Sequence, residues 1–154
     1  MRVIFLDIDG VTNCATTPQR WEGFIGMDPV RVKMVNELVE GADIQIVLSS
    51  TWRHDKKWRD TMKKNGLIPE RLLDRTPSMD GIRGLEIQAW LDEHPEVAKY
   101  AIIDDDSDML PEQMPNFFQT SWTLGLTPEI VNKLWEHFSP DLSTDEKLYK
   151  VDKV

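Results

Sequence analysis

Short apolar runs alternate with helical patterns along this chain, and that alternation is the strongest constraint on its fold. The runs are Arg2-Val3-Ile4-Phe5-Leu6, Ile44-Gln45-Ile46-Val47-Leu48 and Tyr100-Ala101-Ile102-Ile103, with shorter ones at Leu72-Leu73 and Phe117-Phe118-Gln119-Thr120. Asp28-Pro29 opens the first helix, with Asp as N-cap and Pro in the first turn; Val32, Val35, Leu38 and Val39 recur at helical spacing until Gly41. A polar helix is expected over 55–64, stopped by Asn65-Gly66, and another over 84–93 with Ile87, Trp90 and Leu91 on one face. Thr127-Pro128-Glu129 caps a last amphipathic helix carrying Ile130, Val131, Leu134, Trp135 and Phe138. Strands alternating with helices predict an α/β fold with a mainly parallel sheet and right-handed crossovers.

The ends of the strands carry the chemistry. The first run breaks into Asp7-Ile8-Asp9-Gly10-Val11-Thr12-Asn13. Strand side chains alternate faces, so Asp7 and Asp9 point the same way at the C-terminal edge, where open α/β sheets bind ligands. Gly10 lets the backbone turn sharply beside them. Two carboxylates this close repel unless a cation or a shared proton relieves them, and a hard divalent metal is the economical expectation. The 100–103 run closes in Asp104-Asp105-Asp106-Ser107-Asp108, which a parallel sheet brings to the same edge. The 44–48 run ends in Ser49-Ser50-Thr51-Trp52-Arg53.

Asp-x-Asp-Gly-Val closing a first strand resembles the signature of the haloacid dehalogenase-like (HAD) phosphohydrolases, and the likeness extends over residues 1–138. It is nearest to small phage and bacterial HAD domains linked to nucleic-acid repair, including the 3′-phosphatase half of polynucleotide kinase-phosphatases. The resemblance implies a Rossmann-like three-layer core, a five-stranded sheet and no large cap domain. It implies that Asp7 is the nucleophile and Asp9 the general acid and then base, Asp at the second position being similar to the phosphatase branch. It further implies a Mg²⁺ shell from Asp7, the Asp9 carbonyl and Asp104, with Asp105 acting through water or orienting the ligands. Asp106 and Asp108 are ligands or turn caps. Ser49 matches the hydroxyl that bonds the phosphoryl group, with Ser50 and Thr51 as competitors. The family also has a cation that steadies the phosphate. Arg83, in Gly81-Ile82-Arg83-Gly84, is the expected one, with Arg53 and Lys99 as rivals. Gly10, Ser50 and Arg53 complete the expected substrate-binding set.

At 154 residues the chain is one domain, and its single cysteine, Cys14, supports neither a disulfide framework nor a zinc site. No apolar stretch approaches the ~20 residues that span a bilayer, and the first apolar run is a strand rather than a leader, so a cytoplasmic setting without membrane contact is expected. A net charge of −9 argues against broad, non-specific nucleic-acid binding. One local exception runs Arg53-His54-Asp55-Lys56-Lys57-Trp58-Arg59 to Lys63-Lys64. It reads either as a landing strip for a nucleic-acid backbone, with Trp52 and Trp58 stacking bases, or as a solvated helix face with both tryptophans on the core. Residues 14–27 are too short for a cap domain, although Trp21 and Phe24 make them a candidate flap, and 139–154 form a polar tail. The expected activity is a Mg²⁺-dependent phosphomonoesterase acting through an aspartyl-phosphate, on nucleic-acid 3′-phosphate ends. Mononucleotides or other small phosphomonoesters are the alternative substrates. A receiver-like phospho-acceptor domain fits less well, because no isolated Asp ends the 44–48 strand. A silent binding module would have lost Asp7 or Asp9, and both are present.

Overall fold

The computed structural model describes residues 1–141. In chain order its elements are β1 (Arg2–Leu6), β2 (Arg20–Trp21), β3 (Phe24–Ile25), α1 (Pro29–Gly41), β4 (Ile44–Leu48), α2 (Trp58–Lys64), β5 (Leu72–Arg75), α3 (Arg83–Asp92), β6 (Lys99–Asp104), β7 (Phe117–Gln119) and α4 (Pro128–Phe138). Five strands form one wholly parallel sheet in the order β5-β4-β1-β6-β7, and β2 and β3 pair separately as an antiparallel hairpin. This is a Rossmann-like α/β fold, with no large cap domain among the described residues.

Alternation along the strands builds the layers. Ile4, Leu6, Ile44, Ile46, Leu48, Ala101 and Ile103 face one way, onto Val32, Val35 and Leu38 of α1 and Leu134, Trp135 and Phe138 of α4. Val3, Phe5, Val47 and Ile102 face the other way, onto Ile87 and Trp90 of α3. Phe5 meets Trp90 edge to face, with ring centroids 5.5 Å apart. The helix starts follow from local chemistry. The Asp28 side chain accepts from the Val30 N–H at 3.0 Å, and Thr127 Oγ1 accepts from the Ile130 N–H at 3.3 Å.

Two segments differ from the sequence expectations. The helix expected over 55–64 is shorter at its start: a 3₁₀ turn spans Thr51–His54, and α2 begins at Trp58. Ser50 Oγ accepts from the Trp52 N–H and Asp55 Oδ1 from the Lys57 N–H, so two side-chain caps hold the chain out of α-helical register. The 14–27 segment contains the β2–β3 hairpin. Its two-residue loop has positive φ at both positions, 50° at Glu22 and 86° at Gly23, as a tight hairpin turn requires. Among the described residues no helix is long and apolar enough to cross a membrane. Of the expected tail, Ser139–Asp141 form a 3₁₀ turn continuing α4, and 142–154 lie outside the described residues.

Candidate active site

Three adjacent strands deliver their last residues to one edge. Leu6 pairs with Leu48 on one side and with Ile103 on the other. Asp7, Ser49 and Asp104 therefore sit level where β1, β4 and β6 end. The Asp7 N–H donates to the Ile103 carbonyl at 3.1 Å and the Ser49 N–H to the Leu6 carbonyl at 3.0 Å, which fixes the three strand ends against each other. Carboxylate oxygens of Asp7, Asp104 and Asp105 all lie within 4.8 Å of one another. Ser49 Oγ is fully buried and has no hydrogen-bond partner among the described residues.

Among the described residues Arg83, from the first turn of α3, is the cation that pairs with Asp7. Its Nη1 is 3.5 Å from Asp7 Oδ1 and 3.2 Å from Asp104 Oδ2. Asp108 sets the start of that helix: its Oδ2 accepts from the Arg83 N–H at 2.9 Å and its carbonyl from the Gly84 N–H at 3.1 Å. A carboxylate there also suits the helix dipole. Asp108 thus acts as a cap, and Asp106, whose Oδ1 accepts from the Ser107 N–H, shapes the neighbouring turn. Lys99 begins β6, at the opposite end of the sheet from Asp104.

Arg53, expected to bind substrate, faces inward. It is 4% exposed and all its nitrogens donate within the protein: Nε to the Thr76 carbonyl, Nη1 to the Ser49 and Ser50 carbonyls, and Nη2 to Glu86 Oε2 at 2.8 Å. Burial without these partners would be very unfavourable, so the guanidinium is committed to the loop after β4. Ser50 Oγ likewise caps the 3₁₀ turn. Elsewhere in the basic segment Trp58 is in the core beneath the Arg59 guanidinium, and Lys64 pairs with Asp60 at 3.0 Å. That geometry matches a solvated helix face.

Asp9 stands apart from the acid cluster. Asn13 Nδ2 donates to its Oδ1 at 2.9 Å and the Trp52 indole N–H to its Oδ2 at 3.2 Å. Asn13 is fully buried and binds three ways, its Oδ1 accepting from the Gly10 N–H and its Nδ2 also donating to the Gly26 carbonyl. Thr120 Oγ1 donates to the Gly10 carbonyl at 2.6 Å. Both backbone groups of Gly10 therefore have a partner within the protein, and these bonds shape the loop after β1. Its φ is +80°, and a Cβ there would lie 2.2 Å from Asp105 Oδ2. Gly10→Ala should therefore displace Asp105 and weaken divalent-cation binding by the acid cluster at least tenfold, with a stability loss of about 1–3 kcal/mol. Calorimetric Mg²⁺ titration checks this, and wild-type affinity in the variant would contradict it.

Asn13, Trp52, Glu86 and Thr120 were not legible as site residues. Trp52 was visible only as a stacking surface, and Asn13 only as part of the turn after the first strand.

A parallel sheet whose first strand ends in Asp-x-Asp-Gly, against a second acidic strand end and an arginine, defines the HAD class of α/β domains. Within that class the chain belongs to the family described as the HAD domain in Swiss Army Knife RNA repair proteins, whose model matches residues 3–131. No curated protein and no solved structure matches the chain. Family membership points to hydrolase chemistry of the phosphatase type, and the Asp7, Asp104 and Asp105 cluster is able to hold a metal ion.

Proposed function

We propose that the protein is a Mg²⁺-dependent phosphomonoesterase that forms an aspartyl-phosphate on Asp7 and acts on 3′-phosphate ends of nucleic acid. The observation that carries this reading is the division of labour at the sheet edge. Asp7 faces Arg83 and the acid cluster, while Asp9 is held separately by Asn13 and Trp52.

The donor set fits a hard divalent cation. Three carboxylates gather at a largely buried edge, and among the described residues Arg83 is the one cationic side chain paired with them. Burial first, and the Asp104 carboxylate second, push Asp7 up to about 8, with Arg83 opposing; burial also raises Asp104, to about 6. Asp7, Asp104 and Asp105 would hold Mg²⁺, with the Asp9 carbonyl as a further oxygen, and the bound ion would offset negative charge on the phosphoryl group. A carboxyl raised above its ordinary 3.8 stabilises the fold below that pH, and the contribution is lost as pH rises through the folded value. Chelator-treated protein should therefore lose melting temperature between about pH 4 and pH 8. Mg²⁺ should restore more of it at pH 8 than at pH 5. Equal gains at the two pH values would argue against these acids as ligands.

In the first step an Asp7 oxygen bonds to phosphorus as the bond to the leaving oxygen breaks, and Asp9 gives that oxygen a proton. Arg83 and Ser49 Oγ hold the phosphoryl oxygens. In the second step water bonds to phosphorus, Asp9 takes its proton, and the bond to Asp7 breaks to release phosphate. Membership in an RNA repair family, and a core that carries no large cap among the described residues, favour a polymer end as substrate. The test is phosphate release from a 3′-phosphorylated oligonucleotide with and without Mg²⁺, beside the matching mononucleotide. Efficient Mg²⁺-dependent release from the oligonucleotide supports the reading, and preference for the mononucleotide moves it to free nucleotides.

A further inference from the structure

Beside Asp9 lies an open groove of about 540 Å³ whose walls are aromatic, with Trp21 and Phe24 on one side and Trp52 and Trp122 among its other lining residues. Its size falls within the ~300–1,000 Å³ range of small-molecule sites. The hairpin sets the first wall. Trp21 and Phe24 are direct cross-strand partners, so their rings share one face, and the Glu22-Gly23 turn fixes that pairing. The hairpin is tied down at its base, where the Gly26 N–H donates to the Gln19 carbonyl and the Gly26 carbonyl accepts from Asn13. Trp122 is held by its carbonyl, which accepts from the Ala15 N–H at 2.9 Å. The Trp52 ring is fixed by its bond to Asp9, so the groove opens directly from the acid that serves the leaving oxygen. Phe24 is 75% exposed and Trp122 42%, a surface that a chain gains nothing by showing to water.

Charge narrows the occupant. Among the described residues Asp9, Glu22 and Asp55 line the groove, and no lysine or arginine does. A polyphosphate or a sugar-phosphate backbone is therefore unwelcome there, whereas a flat, neutral ring carrying N–H donors is suited to it. Thr51 adds a hydroxyl, and Thr61 Oγ1 donates to Asp55 Oδ2 at 2.7 Å.

We infer that this groove binds the nucleobase of the nucleotide bearing the scissile phosphate, stacked between the hairpin aromatics and Trp52 or Trp122. The inference rests on the phosphatase reading above and deepens it: the leaving group is a nucleoside, read through its base alone. The remaining strand of an oligonucleotide leaves the site without a cationic track through the groove.

The full-length protein with Mg²⁺ is assayed on a short oligonucleotide ending in a base-bearing nucleoside 3′-phosphate, on the same oligonucleotide with an abasic terminal 3′-phosphate, and on the nucleoside 3′-monophosphate. Removing the base should lower kcat/KM about 5- to 150-fold, the span that stacking one base on aromatic side chains covers. Phe24→Ala and Trp122→Ala should bring the ratio of the two oligonucleotides toward one. In the Asp7→Asn protein, tryptophan fluorescence should be quenched by the base-bearing oligonucleotide and not by the abasic one. Base-dependent turnover on the oligonucleotides identifies a polymer end as the source of the base. With the same base dependence, faster turnover of the monophosphate identifies a free nucleotide as the source of the base, and either supports the groove. Equal kcat/KM with and without the base overturns the inference and leaves the phosphatase reading standing. If none of the three is hydrolysed, the phosphatase reading falls on these substrates and quenching alone decides the groove, its absence overturning the inference.

Discussion

Asp7→Asn should fold, bind phosphorylated substrate and release no phosphate, with a loss on the order of 10⁴-fold or more, as expected when a covalent nucleophile is removed. The amide has nearly the same shape as the carboxyl but cannot form the aspartyl-phosphate. Stability should move the other way. The wild-type carboxyl is strongly penalised by burial and by Asp104 beside it. A neutral amide removes that repulsion and can donate a hydrogen bond to Asp104. Chelator-treated Asp7→Asn protein should therefore melt higher than chelator-treated wild type at pH 8, and Mg²⁺ should raise its melting temperature less. This opposite sign separates lost chemistry from lost fold. Asp9→Asn gives a contrasting signature. It keeps the nucleophile, so an aryl phosphate, whose leaving group needs no proton, should give a burst of one phenolate per site and then stall. Residual turnover above about 1% in Asp7→Asn would sink the covalent mechanism.

How much of this was readable in advance depended on the range of the interaction. Strand and helix identities lay in local patterns: a continuous apolar run in Val3 to Leu6, helical spacing in Val32 to Val39, and caps at Asp28 and Thr127. Parallel topology then carried Asp7 and Asp104 to one edge without further information. Choosing among Arg83, Arg53 and Lys99 was different in kind, because it turned on which side chain points outward from its element. Lys99 is separated by strand direction alone. Arg53 is withdrawn by Glu86, 33 residues away and without a shared motif, and Trp52 meets Asp9 across 43 residues. Such pairs leave no trace in periodicity. The hairpin was missed for a smaller reason. Two strands of two residues each are too short for a pattern, and Gly23 between Trp21 and Phe24 was the only available signal.

Glu86→Ala should be the most damaging substitution outside the acid cluster. Glu86 is 2% exposed and accepts from two groups, Oε2 from Arg53 Nη2 at 2.8 Å and from the Met79 N–H at 2.8 Å, while Oε1 forms an ion pair with Arg83 Nε at 3.6 Å. Removing the carboxylate leaves the Arg53 guanidinium buried and uncompensated, a change that typically costs about 3–5 kcal/mol. For a domain of this size that corresponds to roughly 6–20 °C in melting temperature. Glu86→Gln keeps an acceptor for Arg53 and Met79 but loses the charge, so its cost should be intermediate. Replacing both partners, Arg53→Met with Glu86→Leu, removes the buried charges together and should recover much of the stability of Glu86→Ala. Activity should not recover with it. Arg53 holds the Ser49 and Ser50 carbonyls, and Glu86 steadies the guanidinium that faces Asp7, so the pair joins the β4 loop to the first turn of α3. The double variant should therefore remain folded at 25 °C with kcat well below wild type. Denaturant unfolding and steady-state kinetics on the same three proteins measure both effects. A Glu86→Ala cost below 1 kcal/mol would show that Arg53 finds another partner or reaches water, and full kcat in the double variant would confine the pair to stability alone.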